Sequence, residues 1–338
     1  MDTVLHNQTD RFAWKADDHR AADQWLYELT PSDLRELDEA VKAVRSRGLA
    51  PPGYSAGDFP IPTFGQRLAQ QARQLEYGCG FFLLRGIPVD RYDLDTIKAI
   101  YWGIGVHMGA PVYQNKRGDL MTHVADQGDD YEDINTRLYT TAAAANPHND
   151  PSDVVGLLCV RKSPEGGRSM IASAISIYQR IVRDHPEHLP ILHRGFPHDT
   201  RGEGTERRLD ETTPDIPVYS LFEGRLSCCL NSKSSRTARE KQGRPLTDAE
   251  WAAIRCVEEL AVSPDLCLGM DFRPGDIQFL NNWTVIHTRT AFRDGDRPEE
   301  KRLLLRLWLN LHEGRPLAPG MGDRFNNGSR GGVPAVQS

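Results

Sequence analysis

The chain has 338 residues, 39% of them hydrophobic and 26% charged, with 29 Gly and 22 Pro scattered without a period. That is a loop-rich globular composition, which excludes wholesale disorder, collagen-like repeats and coiled coil. A net charge of −6 offers no basic face for nucleic acid, and no apolar run reaches the length of a membrane span. The opening MDTVLHNQTDRFAWKADD has charges in every short window and no apolar signal core. Together these predict a cytoplasmic protein with neither a nucleic-acid nor a membrane partner, and they leave homo-oligomerisation open. The six cysteines form no paired Cys-x-x-Cys and sit mostly in apolar runs such as LLCV and LSCCL, so they read as free thiols.

Taken in chain order, Thr30-Pro31 reads as an N-cap with proline at the first helical position. Leu34, Leu37, Val41 and Val44 then recur at helical spacing up to Gly48. A second helix runs from Thr63, with Phe64, Leu68 and Leu75 on one face and Gly78 as its stop. GFFLLRGI (80–87) reads as a buried strand, and a third helix covers Leu94 to Met108. Residues 113–147 are polar and aperiodic, with Asp126, Asp129, Asp130, Glu132 and Asp133 forming a solvated acidic run. So long a loop in a compact domain reads as a lid, with Gln114 and Asn115 at its base as candidate substrate contacts.

Beyond residue 148 the pattern becomes strands: DVVGLLCV, RSMIASA, IPVYSLF, GRLSCCL, DIQFLNN, VIHTRTAF and LLLRLWLNL. Glu223-Gly224 marks a hairpin turn, and Thr247-Asp248-Ala249-Glu250 a capping box opening a helix to about Val262. Four histidines crowd into 185–198 without fixed ligand spacing and read as a surface helix and loop. The fold class is mostly β with flanking helices, a jelly roll rather than a parallel α/β sheet. Residues 1–312 form one catalytic domain and 313–338, rich in Gly, Pro and Asn, a flexible tail.

The chemistry concentrates in three places. His148 and Asp150 are two apart before a strand, so imidazole and carboxylate can face one ion; His287 lies on a second strand of the same region. Two His and one carboxylate with open coordination positions are the facial triad of non-haem Fe(II) oxygenases. Arg302 and Arg306, four apart in an apolar strand, share a face and need anions, which a guanidinium fork grips as carboxylates. Ser169, after the Gly166-Gly167 turn, offers a hydroxyl to the same carboxylate.

His148-x-Asp150, Gly166-Gly167-x-Ser169, PGDIQFLNN ahead of His287, and Arg302-LLL-Arg306-LWL resemble, in combination, the taurine/aryloxyalkanoate dioxygenase family over about residues 64–312. The resemblance implies a double-stranded β-helix of the clavaminate synthase-like kind. It implies oxidation, most simply hydroxylation, of an unactivated C–H with Fe(II), 2-oxoglutarate and O₂, releasing succinate and CO₂. It assigns His148, Asp150 and His287 to iron, Arg302 and Ser169 to 2-oxoglutarate, and Arg306 to an anionic group of a small, carboxylate-bearing substrate. Two positions depart from the family pattern: Asn149 stands where Thr is common, and Ser169 replaces the usual Thr. The alternatives are a zinc-dependent hydrolase, which lacks an obvious general base and leaves the arginine pair unexplained, and a non-catalytic cupin-like protein that binds a small anion.

Overall fold

The computed structural model describes residues 12–130 and 138–334. Local signals set the first helices. Helix α1 (Pro31–Ser46) opens on a capping box in which the Asp33 amide donates to Thr30 Oγ1 at 3.2 Å and the Thr30 amide donates back to Asp33 at 2.8 Å. Helix α2 spans Pro62–Tyr77, and α3 spans Leu94–Met108 behind an Asp93 cap. Strands β1 (Leu26–Glu28) and β2 (Phe81–Arg85) pair in parallel.

Strand β2 shows how the layers are built. Phe82 and Leu84 enter one core with the apolar faces of α1–α3, while Phe81 and Leu83 enter a second core on the opposite side. The same alternation runs through β5 (Val154–Arg161), β11 (Ile277–Asn281) and β14 (Leu303–Leu311), all in one sheet ordered β2-β11-β5-β14. Along β14, Leu303, Leu305, Leu307 and Leu309 pack under the helices, whereas Leu304 and Trp308 face the interior between sheets. Strands β3 (Gly109–Pro111) and β4 (Met121–Val124) pair along β14.

The facing sheet is β10-β7-β12, built from β7 (Ser169–Ser173), β10 (Cys267–Met270) and β12 (Val285–Arg289), with the short pair β6 (Glu165–Gly166) and β13 (Phe292–Arg293) beside it. Its outer face is covered by α4 (Ala174–Asp184), α5 (Leu189–Arg194) and α7 (Asp248–Ala261), around Ile175, Leu192 and Ile254. A hairpin of β8 (Tyr219–Phe222) and β9 (Arg225–Cys228) turns at Glu223 and Gly224, both with positive φ (47° and 75°), as a type I′ turn requires. Two sheets, antiparallel but for the β1–β2 edge, thus face each other between two layers of helices, the β core with flanking helices that the strand-rich second half implied.

Four points depart from the sequence reading: one helix that it did not contain, and three expectations that are corrected. Helix α6 (Ser232–Lys241) escapes periodicity because SKSSRTAREK has no apolar stripe, although its polar side chains are largely buried. His198 is not on the surface; it is 2% exposed beside Cys229, and burial pushes its imidazole well below the ordinary value. Residues 113–147 are not one loop, because β4 lies within them; Asp126, Asp129 and Asp130 are exposed as expected, while Glu132 and Asp133 lie outside the described residues.

The fourth concerns the segment after Leu311, which is packed rather than flexible through residue 334. Arg315 is buried with its Nε 3.2 Å from Glu76, Arg330 pairs with Asp153, and Met321 and Val333 are buried. Gly331 and Gly332 adopt φ of 73° and 76°, and a Cβ on Gly332 would stand 2.7 Å from Val112, so only glycine lets this segment cross so closely. Residues 335–338 lie outside the described residues.

Glu76 is shared by Arg315 and Arg225 and is only 3% exposed at its side chain. Removing it as Glu76→Ala strands the buried Arg315 cation and leaves the half-buried Arg225 without its ion-pair partner. Chemical denaturation should show a loss of about 3–5 kcal/mol, and a loss below 1 kcal/mol would mean that the cluster does not anchor the segment.

Candidate metal centre and cosubstrate pocket

The triad is assembled by backbone. His148 donates its amide to the His287 carbonyl at 2.9 Å and accepts the His287 amide at 3.0 Å, a one-residue antiparallel bridge that holds two candidate ligands side by side. Asn149 fixes the strand from both edges: its Nδ2 donates to Val285 O at 2.9 Å and its Oδ1 accepts the Leu230 amide at 2.9 Å. The Asp150 amide donates to Asn282 Oδ1 at 3.1 Å, and Asn282 Nδ2 donates to Ser152. The departure at Asn149 therefore has a structural use, since an amide can donate and accept at once where a hydroxyl is shorter.

One ligand atom from each of His148, Asp150 and His287 lies within 4.8 Å of the others. His148 Nδ1 donates to Asn146 O at 2.8 Å, which turns Nε2 toward the shared point. His287 Nε2 is 3.7 Å from Asp150 Oδ2. Burial, reinforced by the neighbouring His148, holds the His287 imidazole down to about 3, and burial also lowers His148. Burial works to raise Asp150, but the Arg306 guanidinium 3.8 Å away and the two imidazoles outweigh it and keep the carboxyl below its usual range. Near neutral pH the site is two neutral imidazoles and a carboxylate, the donor set a divalent iron takes. His287 Nδ1 is buried without a partner among the described residues.

The cavity beside the triad lies between the sheets, and Ser169, Arg302 and Arg306 all line it. Arg302 is 5% exposed, its guanidinium stacks 5.0 Å from the Phe292 ring, and its buried Nη1 has no partner among the described residues. Burial drops it to about 10, so the pocket is short of an anion at this point. Ser169 Oγ lines the cavity and here donates to Gln278 Oε1 at 3.1 Å; its hydroxyl must rotate off Gln278 to donate to a carboxylate.

Arg306 is held by three contacts: its Nε donates to Gln114 Oε1 at 2.7 Å, and its guanidinium lies between the Tyr139 and Trp308 rings at 4.7 and 4.5 Å. Gln114 and Asn115, expected as substrate contacts, do not line the cavity. Gln114 is fully buried, bonded also to Leu120 O, Arg306 O and Thr122, and aims Arg306. Asn115 closes its own turn by donating to Asp119 and accepting the Arg117 amide. Residues that sequence reasoning missed also line the cavity: Tyr139, Trp308, the first residues of α6, and Arg324 with Phe325 from the C-terminal segment. Trp308 could have been found, since it continues the Arg302–Arg306 face at every second residue; nothing local marks Arg324.

A sandwich of this kind with a His-Asp-His triad beside a buried, anion-seeking arginine defines a non-haem iron, 2-oxoglutarate-dependent dioxygenase. The chain belongs to the taurine catabolism dioxygenase TauD, TfdA family, which matches residues 45–308. It is 31% identical over 313 residues to FR-33289 synthase of Streptomyces rubellomurinus, spanning 91% of each chain. The fold is shared with asparagine oxygenase in complex with Fe(II), 3-hydroxyasparagine and succinate (TM-score 0.65, 17% identity, 85% of this chain and 93% of that one). It is shared also with the oxygenase OrfP in complex with Fe, succinate and (3S)-hydroxy-L-Arg (TM-score 0.60, 14% identity, 84% and 94%). No helix among the described residues is long and apolar enough to cross a membrane.

Asn149→Ala removes both side-chain staples while sparing all three candidate ligands. Iron(II) affinity should fall by about 10–100-fold in a metal titration, and unchanged affinity would show that the backbone bridge alone suffices.

The metal-free protein should also lose stability in acid. His287 titrates near 6.5 when unfolded and near 3 when folded, so between these values the unfolded chain binds the extra proton. Stability is therefore full above about pH 6.5 and declines as pH falls toward 3. Denaturation midpoints at pH 7.5 and pH 5 measure this, and His287→Ala should reduce the dependence, with the buried His148 and His198 supplying the remainder.

Proposed function

We propose that this dioxygenase hydroxylates an unactivated C–H of a small anionic or zwitterionic molecule, with His148, Asp150 and His287 holding iron and Arg302 with Ser169 holding 2-oxoglutarate. The observation that carries the reading is that Arg302, whose buried Nη1 has no partner among the described residues, lines the same cavity as three ligand atoms within 4.8 Å of one another. Iron(II) with 2-oxoglutarate and O₂ supplies the oxidant for the C–H bond, the cosubstrate leaving as succinate and CO₂.

The chain's residues do the orienting. Arg302 meets the distal carboxylate with a two-pronged donor, and Phe272 and Leu304 beside it keep water off the pair. Arg306, pinned by Gln114 and two rings, presents its buried, unpartnered Nη2 as a fixed cation for an acid group of the substrate. The asparagine oxygenase and OrfP structures carry hydroxylated amino acids, which makes amino acids the first class to assay. A zinc hydrolase fits less well. Among the described residues, the other carboxylate lining the cavity, Asp199, is ion-paired through Oδ1 with Lys241 at 2.7 Å, and the hydrolase reading leaves the unpaired Arg302 without a role.

The test is succinate formation from 2-oxoglutarate by purified protein supplied with Fe(II) and O₂. Arg302→Ala should raise the 2-oxoglutarate requirement by the equivalent of about 2–5 kcal/mol. Arg306→Gln should weaken the substrate and leave that requirement close to wild type. If Arg306→Gln instead loses the cosubstrate, the two arginines exchange roles.

A further inference from the structure

The packed C-terminal segment brings a third guanidinium to the cavity. Arg324 is 6% exposed, lines the cavity, and donates Nη1 to the carbonyl of Asn149, the residue between two candidate iron ligands. That is one of five donors. Arg324 has no ion pair among the described residues, although a buried guanidinium ordinarily demands one. Its position is enforced from both sides: Phe325 lies against the same cavity, and Asn326 Nδ2 donates to Glu211 Oε1 at 3.0 Å and Thr212 O at 3.1 Å.

The charge around it is unbalanced. Of the basic side chains lining the cavity, Arg302 and Arg324 have no ion pair among the described residues, and Arg306 meets Asp150 only at 3.8 Å. Iron would add to this excess, and 2-oxoglutarate at Arg302 removes only part of it. Arg306 and Arg324 remain, and they enter by different elements: Arg306 from β14 on the Asp150 side, Arg324 from the C-terminal segment at the Asn149 carbonyl. One small acid group cannot satisfy both guanidiniums if they are approached from separate walls.

We propose that Arg324 is a substrate-binding residue that takes a second anionic oxygen group, so that the substrate of this dioxygenase is a small molecule with two acid groups, one for Arg306 and one for Arg324. The proposal rests on the dioxygenase reading above. It makes the C-terminal segment a specificity element rather than an external brace.

The experiment uses full-length protein loaded with Fe(II) and 2-oxoglutarate under argon, so that Arg302 is occupied. Calorimetric titration with inorganic phosphate reads the anion subsite, and matched pairs that differ in one charge (L-glutamate and L-glutamine, O-phospho-L-serine and L-serine) read its selectivity. Wild type should bind phosphate and prefer the doubly acidic member of at least one pair by about tenfold or more. Arg324→Gln should weaken phosphate by a similar factor and erase the preference, Arg324→Lys should recover part of it, and Arg306→Gln should weaken both members together. Absence of phosphate binding in wild type, or phosphate affinity and pair preference unchanged in Arg324→Gln, overturns the proposal. So does a variant that loses only iron or 2-oxoglutarate affinity, which would make Arg324 a positioning residue for the Asn149 loop. Loss of 2-oxoglutarate binding in wild type would overturn the dioxygenase reading itself, a separate result.

Discussion

Two backbone hydrogen bonds between His148 and His287 are the constraint on which the site depends. The residues are 139 positions apart by number, and each belongs to a segment with its own reasons for being where it is. β12 is fixed by pairing with β7, and residues 148–150 by their run into β5. The bridge joins the two sheets at one point, and Asn149 and Asn282 hold the connection in register. A register slip of one residue would turn Asp150 or His287 to the opposite face, so sheet register and ligand geometry are one specification.

The layers around this point explain why charged groups survive there. β14 sends leucines into the helix-covered core at odd positions and Arg302, Leu304, Arg306 and Trp308 inward at even ones. The inward face would be an ordinary sandwich core but for the arginines, whose charge is tolerable because one is stacked and bonded and the other waits for an anion. Gln114 shows the same economy: a neutral amide, fully buried, satisfies the strand backbone and fixes a guanidinium with one side chain.

Much of this was legible in the sequence where local rules apply. The N-cap at Thr30, the capping box at Thr247, the third helix with its bounds, and the hairpin at Glu223-Gly224 rest on contacts within a few residues. His148, Asp150 and His287 stand out because their chemistry is uncommon beside apolar strands. What was not legible depends on distant partners. α6 is held by burial of polar groups rather than an apolar stripe, and the roles of Gln114 and Asn115 turn on whether a polar loop residue points in or sideways. The Gly-rich C-terminal segment reads as disordered because its glycines, which elsewhere signal freedom, here permit close crossing.

That segment also gives the molecule an order of assembly in time. During synthesis the triad is chemically complete once His287 has emerged, and β14 follows soon after. The wall carrying Arg324 and Phe325 arrives last, and its anchor, Arg315 on Glu76, joins residues 239 positions apart, one of the longest loop closures in the chain. Until that closure is made, one wall of the cavity beside the candidate metal ligands is missing. Along the chain, the candidate metal-ligand end of the cavity thus precedes the wall that carries Arg324 and Phe325.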